Sequence, residues 1–168
     1  MVDATDIVVR VARAIERHGL DVILIGNAAA AMQGAPVTTL DIDFLYRRTP
    51  ANVKKVKDIA AELGATIYRP YYPASKMMRL WSDDVTMQVD FLDEVTGVRS
   101  FEGLRSRASE MSLNGVPIRV AALADIIKMK KSANRPKDRG VMDVLEKTLE
   151  AAAKANPQAA PGGPAHRE

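Results

Sequence analysis

Two hydrophobic rhythms alternate along this chain, and they divide it into helices and strands. Residues 5 to 17 repeat at helical spacing, with Ile7, Val8, Val11, Ala14 and Ile15 on one stripe, and Gly19 after His18 supplies the stop. Asp21 to Gly26 is a short apolar run that predicts a buried strand. The alanine-rich stretch from Asn27 to Gln33 predicts a small helix closed by Gly34 and Pro36, and a second strand follows from about Thr38 to Tyr46. Pro50 opens a helix at its favoured first position, carried by Val53, Val56, Ile59, Ala60 and Leu63 and ended by Gly64.

Beyond it, Ala65 to Arg69 predicts a strand, and Arg69-Pro70-Tyr71-Tyr72-Pro73 a loop. Residues 76 to 92 read as a hairpin with Asp83-Asp84 at its turn. A two-residue loop there sets Ser82 opposite Val85, Arg79 opposite Gln88 and Met77 opposite Asp90. It also separates an apolar face (Met78, Leu80, Val85, Met87, Val89, Phe91) from a polar one that carries Arg79 and Asp90. Residues 100 to 108 fit neither period. Asn114-Gly115 marks a tight hairpin between residues 111–113 and 116–120. Two helices, about 123–133 and 137–154, complete a domain expected over residues 1–155, with its core sheet at about 20–120. Residues 156–168, rich in Pro, Gly and Ala, are expected to form a disordered tail.

Acids interrupt this pattern where strands should be apolar. Asp41 and Asp43 lie in Thr38-Thr39-Leu40-Asp41-Ile42-Asp43-Phe44-Leu45, and Asp90 in Met87-Gln88-Val89-Asp90-Phe91-Leu92. Residues two apart on a strand share a face, so Asp41 and Asp43 stand together while Leu40, Ile42 and Phe44 fill the other side. Carboxylates held close raise each other's pKa, and a divalent cation removes that penalty. The chemistry that needs such a set is Mg²⁺-dependent (or Mn²⁺-dependent) phosphoryl or nucleotidyl transfer, in which carboxylates hold metals that clamp the attacking and leaving oxygens. Asp41 and Asp43 are then the ligands of the nucleotide-bound metal, and Asp90 is the third ligand and candidate base. The bland alternative, surface salt bridges to Arg47, Arg48 or Arg79, suits an isolated Asp-x-Asp better than one joined by a third acid on a separate strand.

Composition narrows the choice. The chain has 168 residues and no cysteine, so disulfides and thiolate metal sites are excluded; only two histidines make a zinc site or a Ser-His-Asp triad a poor fit. No stretch approaches the ~20 apolar residues that span a bilayer, and the acidic N-terminus lacks a signal peptide's charged and apolar regions. A cytoplasmic location and no membrane partner are therefore expected. The net charge of +3 is mild, but Lys128, Lys130, Lys131, Arg135, Lys137 and Arg139 concentrate it locally.

Two further segments fit around the acids. Gly26-Asn27, at a strand-to-helix turn fifteen positions before Asp41, is placed to cradle phosphate with backbone amides. On the helix from Leu123, Ile126, Ile127, Met129 and Ala133 pack inward while Lys128 lies off that stripe and reaches towards a β- or γ-phosphate, a role Arg135 or Lys137 can share. Arg79, beside Asp90, is placed to stabilise developing charge. Tyr68, Tyr71, Tyr72 and Trp81 can stack on a base, although packing at a strand edge is the expected reading.

Gly26-Asn27, Asp41-Ile42-Asp43 and Asp90 together resemble the signature of the nucleotidyltransferase superfamily typified by DNA polymerase β: a strand, a small-residue turn, Asp-x-Asp and a later third acid. Thr39 before Leu40-Asp41-Ile42-Asp43, and Leu123-Ala124-Asp125-Ile126-Ile127-Lys128 with Arg135-Pro136-Lys137-Asp138, are similar to motifs of small bacterial stand-alone members such as the AbiEii-type toxin nucleotidyltransferases. The resemblance spans about residues 5 to 150. It implies an α/β (α+β) nucleotidyltransferase fold, a mixed twisted sheet flanked by helices with a C-terminal helical pair. It also implies an NTP substrate, an acceptor that is an RNA or tRNA end, a protein side chain or a small antibiotic, and a neutralising antitoxin protein as partner, with no recognition of DNA sequence. Asn27, Val37 and Val141 depart from the family pattern, and the alternative they leave is a catalytically degenerate nucleotide-binding or interaction module of the same fold; a metal-dependent nuclease or sugar transferase can also use Asp-x-Asp.

Overall fold

The computed structural model of the protein describes residues 4–39, 41–68, 77–83 and 85–157. Six helices, α1 (Ala4–Arg17), α2 (Gly26–Met32), α3 (Pro50–Glu62), α4 (Phe101–Arg107), α5 (Leu123–Ala133) and α6 (Pro136–Ala155), flank seven strands. The strands are β1 (Val22–Ile25), β2 (Asp41–Tyr46), β3 (Thr66–Tyr68), β4 (Met77–Ser82), β5 (Val85–Leu92), β6 (Ser109–Leu113) and β7 (Val116–Val120). They form one mixed sheet in the order β3-β4-β5-β2-β1-β7-β6, with β2/β5 and β1/β7 parallel and the remaining pairs antiparallel.

The alternation in β2, β4 and β5 decides which face is core. Ile42, Phe44, Met78, Leu80, Val89 and Phe91 are all buried. Phe44 stacks on Phe91 with ring centroids 5.5 Å apart, and Tyr46 meets the same ring edge-on at 6.1 Å. Ile7 and Val11 of α1 meet Leu80 and Val89 on this face. The opposite face of these strands is left to the acids.

Turn chemistry follows the sequence closely. Thr49 caps α3 by accepting a hydrogen bond from the Asn52 amide at 3.1 Å, ahead of Pro50. Asn114 and Gly115 both take positive φ, as a tight two-residue hairpin requires. The stretch that fitted neither period is α4, whose cap Ser100 accepts from the Gly103 amide.

One register differs from expectation. Ser82 faces Val85 as predicted, but Leu80 faces Val89, so Arg79 lies opposite Asp90 rather than Gln88, and Met77 opposite Leu92 rather than Asp90. The cause is a bulge: between those pairs β5 spends two more residues than β4, a local irregularity that hydrophobic alternation does not reveal. Because the shift is two residues, the side chains from Met77 to Leu80 and from Val89 to Leu92 keep their faces. Asp84, the Tyr71 and Tyr72 loop, Leu40 and the tail from residue 158 lie outside the described residues.

Candidate active site

A single row of side chains crosses the sheet. Ile25 of β1 pairs with Asp43 of β2, Asp43 with Asp90 of β5, and Asp90 with Arg79 of β4. Asp41 precedes this row by one step on the same face and pairs with Gln88. The three acids of the sequence pattern therefore share one face of two parallel strands, about 4.8 Å apart between chains.

Their environments differ. Asp41 is exposed, Asp43 half-buried and Asp90 buried. The Asp43 carboxyl is pushed up to about 6, first by burial, then by the charges of Asp90 and Asp41; Lys137 and Arg135 act in the other direction. Asp90 is held by a two-pronged guanidinium contact, Arg79 Nε to Oδ1 at 2.9 Å and Nη2 to Oδ2 at 3.1 Å, and Gln88 Nε2 donates to Oδ2 at 3.0 Å. Three of the carboxylate's roughly four acceptor positions are thus used, and one on Oδ1 remains. Thr39 braces the entry to β2, its hydroxyl accepting from the Asp41 amide at 3.3 Å and donating to the Asp41 carbonyl.

Gly26 sits directly over this row. Its φ of +71° favours glycine, and a Cβ placed there would lie 3.0 Å from Asp43 Oδ2. Gly26→Ala is expected to cost about 1–2 kcal/mol in stability from the left-handed backbone. It should also push the Asp43 carboxylate aside, so that activity falls further than a melting shift of that size explains; parallel thermal melts and rate measurements check this. Asn27 spends its side-chain N–H on the Thr38 carbonyl at 3.3 Å, which ties α2 to the segment entering β2. Its Oδ1 is buried with no hydrogen-bond partner.

A cleft of about 430 Å³ opens beside Gly26 and Asp43, walled by Thr96 on one side and by Met129, Lys130 and Arg135 on the other. The two walls meet closely. At Gly97, φ +87°, a Cβ would fall 2.8 Å from Ser132 Oγ and 3.1 Å from the Met129 Cα, so only glycine lets the loop after β5 rest on α5.

The basic residues divide between cleft and solvent. Lys128 is exposed and is not among the cleft-lining residues; Lys130 lines it instead. At 100° per residue, Ile126, Met129, Lys130 and Ala133 share a face, whereas Lys128 is turned 200° from Lys130. Burial lowers the Lys130 pKa, opposed by Asp138, whose Oδ1 lies 3.6 Å from Nζ. Asp138 is fully buried and also accepts from Arg135 Nε at 2.7 Å and from the Arg135 amide at 3.1 Å, which ties the residue before α6 to its first turn. Asn134, in left-handed conformation, turns the chain between α5 and α6. Sequence reasoning passed over Lys130 and the anchoring role of Asp138; the helical face shared with Ile126 and Met129 was the available signal for the first. Val37 and Val141 pack partly buried against the core. Arg47, a suggested partner for the acid pair, bonds Asp21 and Glu102 instead.

A family model described as "Nucleotidyl transferase of unknown function (DUF2204)" matches residues 4–156. The chain belongs to this nucleotidyl transferase family. Among curated proteins none matches it. Solved structures share the fold of this nucleotidyltransferase at low identity. The lincosamide antibiotic adenylyltransferase LnuA, lincomycin-bound, is 13% identical with a TM-score of 0.63, covering 84% of this chain and 95% of that one. ANT(2″)-Ia in complex with adenylyl-2″-tobramycin is 16% identical with a TM-score of 0.59, over 91% and 98%. An antigenic nucleotidyltransferase-like protein from Paracoccidioides brasiliensis is 13% identical with a TM-score of 0.53, over 91% and 88%. The nucleotidyltransferase fold implied by the Asp-x-Asp and third-acid pattern is thus the fold of this protein, and no helix among the described residues is long and apolar enough to cross a membrane.

Proposed function

We propose that the protein transfers a nucleoside monophosphate from an NTP to an acceptor hydroxyl, with divalent metal, Mg²⁺ or Mn²⁺, held by Asp41 and Asp43, and with Asp90 as the base whose remaining Oδ1 position receives the hydroxyl proton. The observation that carries this reading is the row Asp43–Asp90–Arg79 beside Gly26, at the mouth of a cleft with a basic wall. The donors fit such an ion: all are hard carboxylate oxygens, and the Asp43 pKa is raised first by burial and then by the charges of Asp90 and Asp41, both of which a bound cation would offset. Among the described residues the carboxylates do not by themselves form a ready three-ligand cluster, because Asp90 is turned onto Arg79. Bound metal would supply neutralisation of the triphosphate and polarisation of the α-phosphorus.

The chain's own residues do the rest. Lys130 and Arg135, on the cleft wall, receive the triphosphate, with Lys137 adding positive potential; Lys128 is left to approach a longer ligand from solvent. Gly26 and the first turn of α2 leave room for phosphate next to Asp43, and Asn27 braces that turn. In the reaction the acceptor oxygen bonds to the α-phosphorus, the bond to the β-phosphate oxygen breaks, and pyrophosphate leaves. Asp90, with one acceptor position unused, takes the hydroxyl proton and becomes neutral, which leaves the Arg79 charge to face the negative charge that develops on the phosphoryl oxygens. The toxin likeness adds a partner antitoxin and a cytoplasmic setting to the proposal.

The test is incubation with each α-labelled NTP, Mg²⁺ and RNA, protein or small-molecule acceptors. Label on an acceptor that disappears in the Asp41→Asn, Asp43→Asn double variant supports the reading. Transfer that survives the double variant would sink it, and transfer from no NTP would leave a binding module of the same fold.

A further inference from the structure

The row of the active site does not stop at Arg79. Tyr68 of β3 lies directly opposite Arg79, and Thr66 opposite Trp81, so all four share the face that carries Asp43 and Asp90. Together they line a recess of about 220 Å³. Tyr68 is 58% exposed and Trp81 51%, and they are the large exposed apolar side chains among the described residues. Both aromatics stand at the edge of the sheet as expected, about half of each left open to solvent. Two strand spacings, about 10 Å, separate Tyr68 from Asp90 along the row. Arg79 lies between Tyr68 and Asp90 in the row, its guanidinium fixed by Asp90, so a flat cation links the aromatic pair to the acids.

We propose that Tyr68, Arg79 and Trp81 form a stacking platform for the unpaired bases at the end of a single-stranded polynucleotide, which delivers its terminal hydroxyl to Asp90. This names the acceptor class and rests on the nucleotidyl-transfer reading. Two planar side chains and a guanidinium on one open face suit bases, because every base has a π-face and successive bases can step across the strands. Openness decides against a small acceptor: a small-molecule site encloses most of its ligand, whereas here both rings remain about half exposed.

Trp81 is the chain's single tryptophan, so its fluorescence reports on the platform alone. A short unstructured RNA, and DNA of the same sequence, are titrated into the full chain without NTP or metal, which keeps the result independent of catalysis. Quenching of Trp81 is expected, with affinity falling about 10- to 100-fold in Tyr68→Ala and in Trp81→Ala (the latter read by anisotropy of labelled RNA) and largely kept in Trp81→Phe. The comparison of RNA with DNA identifies which polynucleotide is preferred. Affinity within about twofold of wild type in both alanine variants would overturn the proposal, as would complete displacement of the oligonucleotide by a free nucleoside at the same concentration. Concentration-dependent dimers that bury Trp81 in place of oligonucleotide binding would overturn it too. If transfer fails in every assay yet quenching follows this pattern, the platform stands and the transfer reading falls; the reverse outcome separates them the other way.

Discussion

Asp43→Asn is expected to lower transfer about a thousandfold while making the metal-free protein more stable. The activity loss follows from removing one of two carboxylates that would share a divalent ion, an interaction worth several kcal/mol in the transition state. The gain follows from linkage. Asp43 titrates at about 6 in the folded chain against 3.8 for an ordinary aspartate, so the folded state binds its proton more tightly than the unfolded state. Its contribution is therefore most favourable below about pH 4, and stability is lost as pH rises towards and through 6. Two pKa units correspond to about 3 kcal/mol, and the partial exposure of Asp43 reduces this to about 1–2 kcal/mol. Urea midpoints at pH 5 and pH 7.5 check it: wild type should lose stability between them through this group, and the variant should lack that slope. Equal or lower stability of the variant at pH 7.5 would show that the ionised Asp43, half-buried beside Asp90 and Asp41, carries no cost in the fold. Such a pattern, stability given up where function sits, is common at active sites.

Asp138→Asn is expected to destabilise the fold by about 2–4 kcal/mol and to impair NTP use beyond that. Asp138 is fully buried and compensates Lys130, whose side chain is only 11% exposed. Removing one member of a buried pair leaves the other uncompensated. Arg135, more than half exposed, regains water and loses less, although the tie between the Arg135 amide and the first turn of α6 goes with the carboxylate. The pH dependence has the opposite sign to that of Asp43. Burial raises the Asp138 pKa, but the Arg135 hydrogen bonds and the charges of Arg135 and Lys130 hold it below the usual value. Its stabilisation is present above about pH 4 and lost as pH falls through the depressed folded value. Adding Lys130→Met should return much of the stability, since an apolar pair carries no desolvation cost, but not the activity. Denaturant midpoints with single-turnover rates for the single and double variants separate the two roles. Full recovery of both would mean that Lys130 serves the fold alone.

Several elements were legible because local physics overdetermines them. Pro50 behind Thr49, the Asn114-Gly115 turn and the Leu123 helix each satisfy periodicity and turn chemistry at once, and each stands where the sequence puts it. Asp41, Asp43 and Asp90 were legible for the opposite reason: an acid inside an apolar strand violates local consistency, and such violations cluster at functional sites. The position of Arg79 was half legible. Alternation fixed its face, but the bulge in β5 fixed its partner, and nothing in the alternation marks a two-residue shift. Lys128 and Lys130 look alike in sequence; only the direction from which α5 meets the cleft distinguishes them. The same is true of Trp81 and Tyr68, whose exposure depends on what the sheet edge packs against.

The amino-acid sequence alone determined most of the strands and helices, α4 excepted, and marked Asp41, Asp43 and Asp90 as acids out of place in apolar strands, because period, caps and misplaced charges act over a few residues. The tertiary structure decided which groups meet: Asp90 with Arg79, Asp138 with Lys130, Gly26 with Asp43, and the aromatic pair in line with the acids. Those meetings depend on strand order, register and helix rotation, which chain neighbours do not fix, since the contacts that set them lie far apart in sequence and are chosen by burial of the whole core.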